Sequence, residues 1–407
     1  MAPWRHLPLP VRALGLLGGL VAVCIGLETL ARYHAPQLPG WTSVSQSSMI
    51  MQGHATRLWG MTPGIKSNGN AQATINALGL RGEIPELPRP DGRQRILVLG
   101  DSAFFGHGIE DDETLAVQLA ALLQERGLDV DVVNGAVSGY SIAQSALLME
   151  EVGWDLQPTL VIYANLWSDN TWDAFHDEDL LRSRATARHN PFVHSAAMRY
   201  IAAWLTPHLP GEGNIVVWSA DEGWPEDRIR RVPVDRYAAL TDGVIRTGQQ
   251  QGAGALFIKP SNRFLVDPTE PDTRLWDPYF VAMDAVADCH GVPVVDMTLP
   301  FVDANRPIEE LFIDLMHPTA EGHRVLAEAV GAALLEAGWP ATPLSGSTAD
   351  CDYSGLTDRP PPDWFSDRGV GSPQAKLFSV DGIPVSATGA DFEGEKQEAP
   401  MNPPNAP

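Results

Sequence analysis

Residues 95–102 read RILVLGDS, and this stretch decides the fold of the chain. Its four consecutive apolar residues, 96–99, predict a strand buried on both faces, because a strand with one solvated face would alternate apolar and polar residues. The Gly100-Asp101-Ser102 sequence that follows predicts a tight turn that presents the serine hydroxyl above the sheet. Gly-Asp-Ser is also common in ordinary turns, where Asp or Ser caps the next residues. The turn alone therefore assigns no chemistry to Ser102.

Short apolar runs alternate with helical periods on either side of this strand, from about residue 93 to residue 338. Further strands are predicted at residues 130–133, 159–163, 255–258 and 292–296. Helices are predicted at about 114–126, 142–152, 278–290 and 319–337. This alternation predicts an α/β fold, a three-layer α/β/α sandwich with a mainly parallel sheet of the flavodoxin-like kind. Functional residues should then lie at the carboxyl ends of the strands.

A second polar pair, Asp314 and His317, lies directly before the last predicted helix. A histidine accepts a serine proton when a carboxylate holds its other ring nitrogen in the right tautomer. The spacing of three lets one local turn hold both groups. Taken alone, the pair has a second interpretation, in which His317 is only a residue near the helix cap and Asp314 is its solvated neighbour. Its occurrence together with Ser102, on the sheet edge expected for a site, predicts a triad of Ser102, His317 and Asp314.

Three stretches resemble the conserved blocks of the SGNH (GDSL-like) serine hydrolases. They are RILVLGDSAFFGHGIEDDETLAVQLAALL (95–123), VVNGAVSGYSIAQ (132–144) and DLMHPTAEGHRVLAEAV (314–330). The resemblance covers about residues 74–338 and includes NALGLRG (76–82), which often precedes the serine block in exported members. It implies an esterase with Ser102 as nucleophile, His317 as base and Asp314 as the partner that orients the histidine.

The resemblance also implies an oxyanion hole formed by the N–H groups of Ser102 and Gly139. Glycine permits close approach of a backbone donor to developing charge, although Gly139 also fits a residue that only completes a loop. The third block departs from the family pattern Gly-x-Asn-Asp, because residues 164–170 read ANLWSDN. The place of the family asparagine falls on Ser168, with Asn165 and Asn170 as alternatives. Losing such a donor costs about 2.7–4 kcal/mol of transition-state stabilisation, so the departure predicts slower catalysis.

Residues 13–27, ALGLLGGLVAVCIGL, carry no charge and follow Arg5 and Arg12. A basic flank before an apolar run indicates a signal peptide or a signal anchor. The run reaches the roughly 20 residues of a bilayer span only if it is extended to residue 31, past Glu28. Because no clean A-x-A cleavage site follows, we expect an uncleaved transmembrane anchor at 13–31, with residues 1–12 cytoplasmic and the catalytic domain extracytoplasmic.

The other segments complete the predicted organisation. Residues 32–92 are interpreted as a linker and entry region, and 93–338 as the hydrolase domain. Residues 172–233 break the strand and helix rhythm, and their length predicts an insertion or lid. Residues 344–407, which are rich in Pro, Gly, Ser and acidic residues, predict a disordered tail. The sequence leaves two alternatives open for Cys289 and Cys351: they form a single disulfide, or both stay unpaired.

Composition excludes several classes of function. The net charge is −23, with 28 Lys and Arg against 51 Asp and Glu, which excludes a nucleic-acid partner because phosphate binding needs clustered cations. Phosphate-binding and dinucleotide-binding glycine motifs are absent, and His107, His176 and His323 lack metal-ligand spacing, so no cofactor or metal is expected. Six tryptophans could stack on sugars or hold an acyl chain, although packing roles are more common: Trp167, Trp172, Trp204, Trp218, Trp224 and Trp276.

These expectations combine into one predicted function, the hydrolysis of an O-acyl ester through an acyl-enzyme on Ser102. Export and tethering point to cell-envelope carbohydrate or lipid as the substrate, with the membrane contacted through the N-terminal helix. Two alternatives stay open. One is an O-acyltransferase that passes the acyl group to a polysaccharide, and the other is a non-catalytic envelope-binding protein on the same scaffold, suggested by Ser168.

Overall fold

A five-stranded parallel sheet forms the centre of the protein. In the computed structural model its strands are β1 (Gln94–Gly100), β2 (Val130–Asn134), β3 (Leu160–Ala164), β4 (Gly254–Lys259) and β5 (Val294–Asp296), in the spatial order β5-β4-β3-β1-β2. The structure describes residues 8–34, 50–54, 56–173, 176–188, 195–198, 229–267, 276–344, 346, 350–358, 377–378 and 384–385. The predicted strands and the parallel sheet are confirmed.

The register of the sheet brings the ends of two central strands level. Gly100 at the end of β1 aligns with Ala164 at the end of β3, and Phe257 of β4 aligns with Tyr163. Leu97, Leu99 and Ile162 are almost completely buried, as the continuous apolar runs predicted. The loops that start at residues 101 and 165 therefore leave the sheet side by side, at its carboxyl edge.

Helices cover both faces of this sheet and complete the three-layer α/β/α fold. The longer ones are α1 (Leu115–Glu125), α2 (Ile142–Leu148), α3 (Val234–Gln250), α4 (Asp277–His290) and α5 (Ala320–Glu336). Helix α1 packs against α5, while α3 packs against α2 and α4. Shorter helices and turns lie at Ser102–Phe105, Asp111–Glu113, Met149–Gly153, Trp154–Leu156, Arg263–Val266, Thr298–Asp303 and Ile308–Leu311.

The helices differ from the predictions in two places. Helix α2 ends at Leu148 and continues as a π turn at Met149–Gly153, where the sequence predicted a regular helix to residue 152. Helix α3 was not predicted, although its buried residues Tyr237, Thr241 and Ile245 recur at helical spacing on one face. It begins directly after the predicted insertion 172–233, and it is the crossover between β3 and β4.

The region predicted as a linker, residues 32–92, contains two β-hairpins. Their strands are Met51–His54 with Leu58–Met61, and Gly64–Asn68 with Ala71–Ile75. Arg81 bridges Ile75 on one side and Asn134 of β2 on the other, which attaches the second hairpin to the edge of the sheet. Trp59 is only 4% exposed. The described residues between 50 and 92 are therefore folded against the hydrolase domain, while residues 35–49 lie outside the described part.

The first part of the predicted disordered tail also packs on the hydrolase domain. The carbonyl of Leu344 accepts a hydrogen bond from the N–H of Ala255 in β4. Cys351 forms a disulfide with Cys289 in α4, across 6.2 Å between Cα atoms. Asp358 pairs with the buried Arg230 at 3.2 Å. The covalent bond and the ion pair hold a segment whose composition alone predicted no structure. Beyond residue 358 the structure describes only the strand pair Leu377–Phe378 and Pro384–Val385.

The chain divides into two units, one comprising residues 43–193 and 224–368, the other residues 1–42, 194–223 and 369–407. The second unit contains the helix Leu9–His34, whose segment Ala13–Tyr33 has a mean hydropathy of 2.0 and is long and apolar enough to cross a membrane. Within this unit the Glu28 carboxylate accepts hydrogen bonds from the Ser195 hydroxyl and from the N–H groups of Ala196 and Ala197.

The predicted insertion is therefore shared between the two units. In the larger unit its ends pair as strands, Trp172–Asp173 with Ile229–Arg230, and the helix Asp177–Arg188 follows the first strand. Trp204, Trp218 and Trp224 lie outside the described residues, so a lid at 172–233 stays a prediction.

Candidate active site

Ser102 lies in the turn that ends β1. Asp101 caps the short helix Ser102–Phe105 by accepting a hydrogen bond from the N–H of Ala103 at 3.1 Å. The helix ends at Gly106, whose φ of +88° favours glycine and where a Cβ would meet the Arg81 guanidinium at 2.9 Å. The serine is thus held at the start of a short, tightly turned helix, in partly exposed surroundings.

His317 links Ser102 to Asp314. Its Nε2 lies 2.8 Å from the Ser102 hydroxyl, and its Nδ1 lies 2.6 Å from Asp314 Oδ2. The other carboxylate oxygen of Asp314 accepts hydrogen bonds from the N–H groups of Met316 and His317, at 2.9 Å each. The loop before α5 therefore fixes the carboxylate, and the carboxylate fixes the imidazole. The structure brings together all three residues of the predicted triad.

The pKa values of Asp314 and His107 are both lowered in the site. Partial burial works to raise the pKa of Asp314, but its hydrogen bonds with His317 and with the N–H of Met316 outweigh burial and lower that pKa to about 2. The His107 ring lies 4.7 Å from the His317 ring, between centroids. Burial is the main cause that lowers the pKa of His107 to about 4. Near neutral pH the site therefore combines an ionised Asp314 with a neutral His107.

Gly139 lies on the same edge of the sheet as Ser102. The N–H of Val137 donates to the carbonyl of Gly100 at 3.1 Å, so the loop after β2 runs beside the serine turn. Gly139 has a φ of +77°, which favours glycine. Among the described residues, neither its N–H nor that of Ser102 donates to a protein acceptor. Both N–H groups thus remain available to an oxyanion.

The third block connects to the serine turn through Asp101, which is fully buried. Its Oδ2 accepts hydrogen bonds from the N–H groups of Trp167 and Ser168, at 2.9 and 3.3 Å. Burial raises the pKa of Asp101 against the opposing effect of these hydrogen bonds and of His317. Ser168 is 8% exposed. Its position relative to Ser102 is therefore set through a single carboxylate that spans both loops.

The two asparagine alternatives are engaged elsewhere. The side-chain amide of Asn165 donates to the Ser145 hydroxyl at 3.0 Å and to the carbonyl of Tyr140, so it is a packing residue between β3 and α2. The Asn170 side-chain oxygen accepts from Arg230 at 3.0 Å. Sequence counting left three residues open for this role. The contacts of Asn165 occupy its donating amide, whereas Arg230 contacts only the side-chain oxygen of Asn170, so the choice of Ser168 stays a prediction.

Buried arginines that the sequence did not identify support the loops of the site. Arg81 donates to the carbonyls of Phe105, Gly106 and Ile109, which follow the serine, and pairs with Asp111 at 2.8 Å. Arg231 donates to the carbonyl of Gly139 at 2.9 Å and pairs with the buried Asp177 at 2.6 Å. Arg81 falls within NALGLRG, which was a usable signal, whereas Arg231 is 92 residues from Gly139 and carried no local pattern.

Two of the six tryptophans, Trp167 and Trp276, follow the packing interpretation. Trp167 and Trp276 pack edge to face, with ring centroids 5.3 Å apart, and are 6% and 5% exposed. His323 is fully buried in α5, and His176 contacts the carbonyl of Arg230. Asp242, His290 and Cys351 come together as candidate metal ligands, but Cys351 is in the disulfide and offers no thiolate.

A parallel sheet between two helix layers, with its polar cluster at the carboxyl edge, defines a three-layer α/β/α protein of the SGNH hydrolase class. The model of the GDSL-like lipase/acylhydrolase family matches residues 98–325, which is more than half of the chain. The chain belongs to this family and is an ester-hydrolysing enzyme. The resemblance inferred from the three sequence blocks is therefore confirmed.

Solved structures similar to this chain include three esterases or hydrolases. The acetyl xylan esterase AlAXEase is 16% identical, with 59% of this chain and 99% of that chain covered and a TM-score of 0.39. The acetylxylan esterase Axe2 from Geobacillus stearothermophilus is 17% identical, with 63% and 97% covered and a TM-score of 0.39. LAE5, an alpha/beta hydrolase from the metagenome of Lake Arreo, Spain, is 20% identical, with 59% and 94% covered and a TM-score of 0.38. A search of curated proteins found no match.

Proposed function

We propose that the protein is a serine esterase that forms an acyl-enzyme on Ser102. The Ser102 hydroxyl attacks the ester carbonyl while His317 Nε2 accepts its proton, and His317 then returns the proton to the leaving alcohol. Water, activated by the same histidine, releases the acid and regenerates the serine. The observation that carries the proposal is the continuous hydrogen-bonded series from Ser102 through His317 to Asp314, at 2.8 and 2.6 Å.

The negative charge of the tetrahedral intermediate is stabilised by backbone N–H groups of Ser102 and Gly139 and by the Ser168 hydroxyl. The open N–H groups and the shared carboxylate of Asp101 support this assignment. Donors oriented in advance at the position of developing charge usually supply the largest single part of such catalysis.

The substrate we propose is an O-acyl ester of cell-envelope carbohydrate or lipid. The apolar helix Leu9–His34 supports a membrane-anchored enzyme with its catalytic domain on the extracytoplasmic side. The disulfide between Cys289 and Cys351 supports the same location, because disulfides persist in oxidising compartments. Small-molecule or carbohydrate esters held near the membrane surface would be the first substrates to reach the site.

Covalent labelling tests the nucleophile. Intact-protein mass spectrometry after treatment with a fluorophosphonate should show one adduct on the wild type and none on Ser102→Ala. Ser67→Ala, which changes an exposed serine in the second hairpin, is the matched control and should label like the wild type. Equal labelling of Ser102→Ala and wild type would reject Ser102 as the nucleophile, and an unlabelled wild type would favour a non-catalytic binding protein.

The acyl acceptor is tested by product analysis with a simple acyl ester as donor. The esterase releases free acid at the same rate with and without a sugar polymer. Acylated sugar appearing at the expense of free acid would identify the O-acyltransferase alternative, since the acyl-enzyme is common to both reactions.

A further inference from the structure

A tryptophan from the first hairpin reaches the loop that carries Gly139. Trp59 lies in the strand Leu58–Met61, outside the family match at residues 98–325. Its indole N–H donates to the carbonyl oxygen of Ser138 at 3.0 Å, across 79 residues of sequence. Trp59 is 4% exposed, so water competes little for this hydrogen bond.

The accepting carbonyl belongs to the same peptide unit as the N–H of Gly139. That peptide is trans, because the cis peptides among the described residues are Leu87–Pro88 and Trp339–Pro340. In a trans peptide the C=O and N–H bonds point in opposite directions. A donor that holds the Ser138 carbonyl therefore directs the Gly139 N–H away from Trp59.

The peptide unit on the other side of Gly139 is held as well. Arg231 donates to the Gly139 carbonyl at 2.9 Å, and the Arg231 guanidinium lies 5.7 Å from the centre of the Trp59 ring. A Cβ on Gly139 would approach Trp59 Cζ2 to 3.2 Å, so the ring also contacts the glycine directly. Two donors, one on each flanking carbonyl, thus restrict the rotation of the peptide that carries the N–H.

The hairpin that carries Trp59 is itself anchored to the second block. The Tyr140 hydroxyl donates to the carbonyl of Trp59 at 2.6 Å, and the Gln144 amide donates to the carbonyl of Arg57 at 2.8 Å. The Trp59 and Tyr140 rings meet edge to face, with centroids 5.8 Å apart. The indole is therefore fixed by groups adjacent to Gly139 in sequence.

We propose that Trp59 is a positioning residue of the oxyanion hole, which acts by holding the peptide between Ser138 and Gly139 so that the Gly139 N–H faces the developing negative charge. This inference rests on the proposed function, because it assigns Trp59 a role in the same reaction. The ester substrate gains the Gly139 hydrogen bond as its carbonyl becomes tetrahedral. Loss of the indole donor then affects the transition state more than the bound substrate.

Steady-state kinetics of Trp59→Phe test the proposal, because phenylalanine keeps an aromatic ring and removes the donor. We expect kcat to fall about tenfold with KM within about twofold of wild type, since an interaction made only in the transition state lowers kcat and kcat/KM together. The rate of fluorophosphonate labelling should fall by a similar factor. The pH profile should keep its shape, because the contact between His317 and Asp314 is untouched. All rates are expressed per reactive site, so unfolded protein does not enter the comparison.

A second variant isolates the indole N–H. Benzothienylalanine at position 59 keeps the two-ring shape and replaces the N–H by sulfur, so it should reproduce the kcat loss of Trp59→Phe. Trp339→Phe is the matched control: Trp339 is 5% exposed and follows the far end of α5, roughly 25 Å of helix from the His317 loop. It should retain wild-type kcat and labelling.

The outcomes separate the two proposals. In one outcome the wild type hydrolyses esters and is labelled on Ser102, and Trp59→Phe has a kcat within twofold of wild type. This outcome overturns the role of Trp59 and leaves the proposed function intact. Equal losses in Trp59→Phe and Trp339→Phe, or a benzothienylalanine variant at wild-type kcat, also overturn it. A wild type that neither hydrolyses esters nor labels overturns both proposals.

Discussion

At the scale of single residues, Asp101 links the two parts of the site that the sequence presents as separate motifs. One carboxylate caps the serine helix and binds the N–H groups of Trp167 and Ser168. The third block therefore stays attached to the serine turn although it lacks the family asparagine. A short hydroxyl at position 168 is positioned by the backbone that this carboxylate holds.

Substitution of Ser168 tests this arrangement. Ser168→Ala should lower kcat and kcat/KM together by about tenfold or more, because the hydroxyl interaction strengthens as charge develops. Ser168→Asn should be tolerated or improve turnover, since an amide is a longer donor. Steady-state kinetics with one ester substrate measure both effects.

Alanine at Asn165 and at Asn170 provides the comparison. Their side chains contact Ser145 and Arg230, so these variants should affect stability more than kcat. If alanine at none of the three positions lowers kcat tenfold, backbone donors suffice and the assignment of Ser168 is wrong.

At the scale of elements, the contact between α1 and α5 depends on a neutral histidine. His323 of α5 accepts a hydrogen bond at Nδ1 from the N–H of Leu115, the first residue of α1, at 3.0 Å. Thr114, at the cap position, makes no side-chain capping bond. His323 therefore satisfies one of the free N–H groups at the start of a helix. Burial lowers the pKa of His323 from 6.5 to about 3, and the charge of Arg81 adds to the effect.

This shift predicts acid sensitivity of folding. The unfolded state binds a proton on His323 below about pH 6.5, whereas the folded state does not until about pH 3, so stability falls as the pH falls through this window. The contribution of His323 amounts to about 2 kcal/mol between pH 7 and pH 5. His323→Asn keeps an acceptor near Leu115 and removes the titration.

Urea unfolding at pH 7 and pH 5 measures this effect. The difference in unfolding free energy between the two pH values should be smaller by about 2 kcal/mol in His323→Asn than in wild type. Identical differences in the two proteins would contradict a neutral, buried His323.

At the scale of the whole molecule, the apolar helix and the disulfide both concern the side of the membrane on which the catalytic domain lies. The helix Leu9–His34 exposes apolar side chains, for example Leu16 at 71%, and its uncharged run 13–27 follows Arg5 and Arg12. The disulfide joins residues 62 apart and holds the segment 350–358 on the hydrolase domain. Both features support the proposed export of the catalytic domain.

A reporter that is active only after export tests this topology when it is fused behind Pro343. We expect reporter activity from the membrane fraction, since a basic flank before a single apolar span favours the cytoplasmic side. In the full-length protein, Cys289 and Cys351 should resist alkylation until a reductant is added. A well-expressed but silent fusion would reject export.

The sequence by itself determined the features that depend on neighbouring residues. Continuous apolar runs such as 96–99 predicted buried parallel strands, and the spacing of three between Asp314 and His317 predicted their contact in one turn. The resemblance of three blocks to one family implied that Ser102 and Gly139 form an oxyanion hole, and this stays a prediction. The strand and turn predictions succeeded because strand burial and local turns leave periodic or short-range patterns.

Only the tertiary structure decided which distant groups hold the site in place. Trp59 lies 79 residues from Ser138, and Arg231 lies 92 residues from Gly139. The choice among Asn165, Ser168 and Asn170 as the third donor stays a prediction, because the sequence does not say where each side chain lies once the loop has folded. A hydrogen bond from one side chain to a remote carbonyl leaves no periodicity and no motif, because any residue can supply the carbonyl. Such contacts exist only once the sheet and its loops have folded.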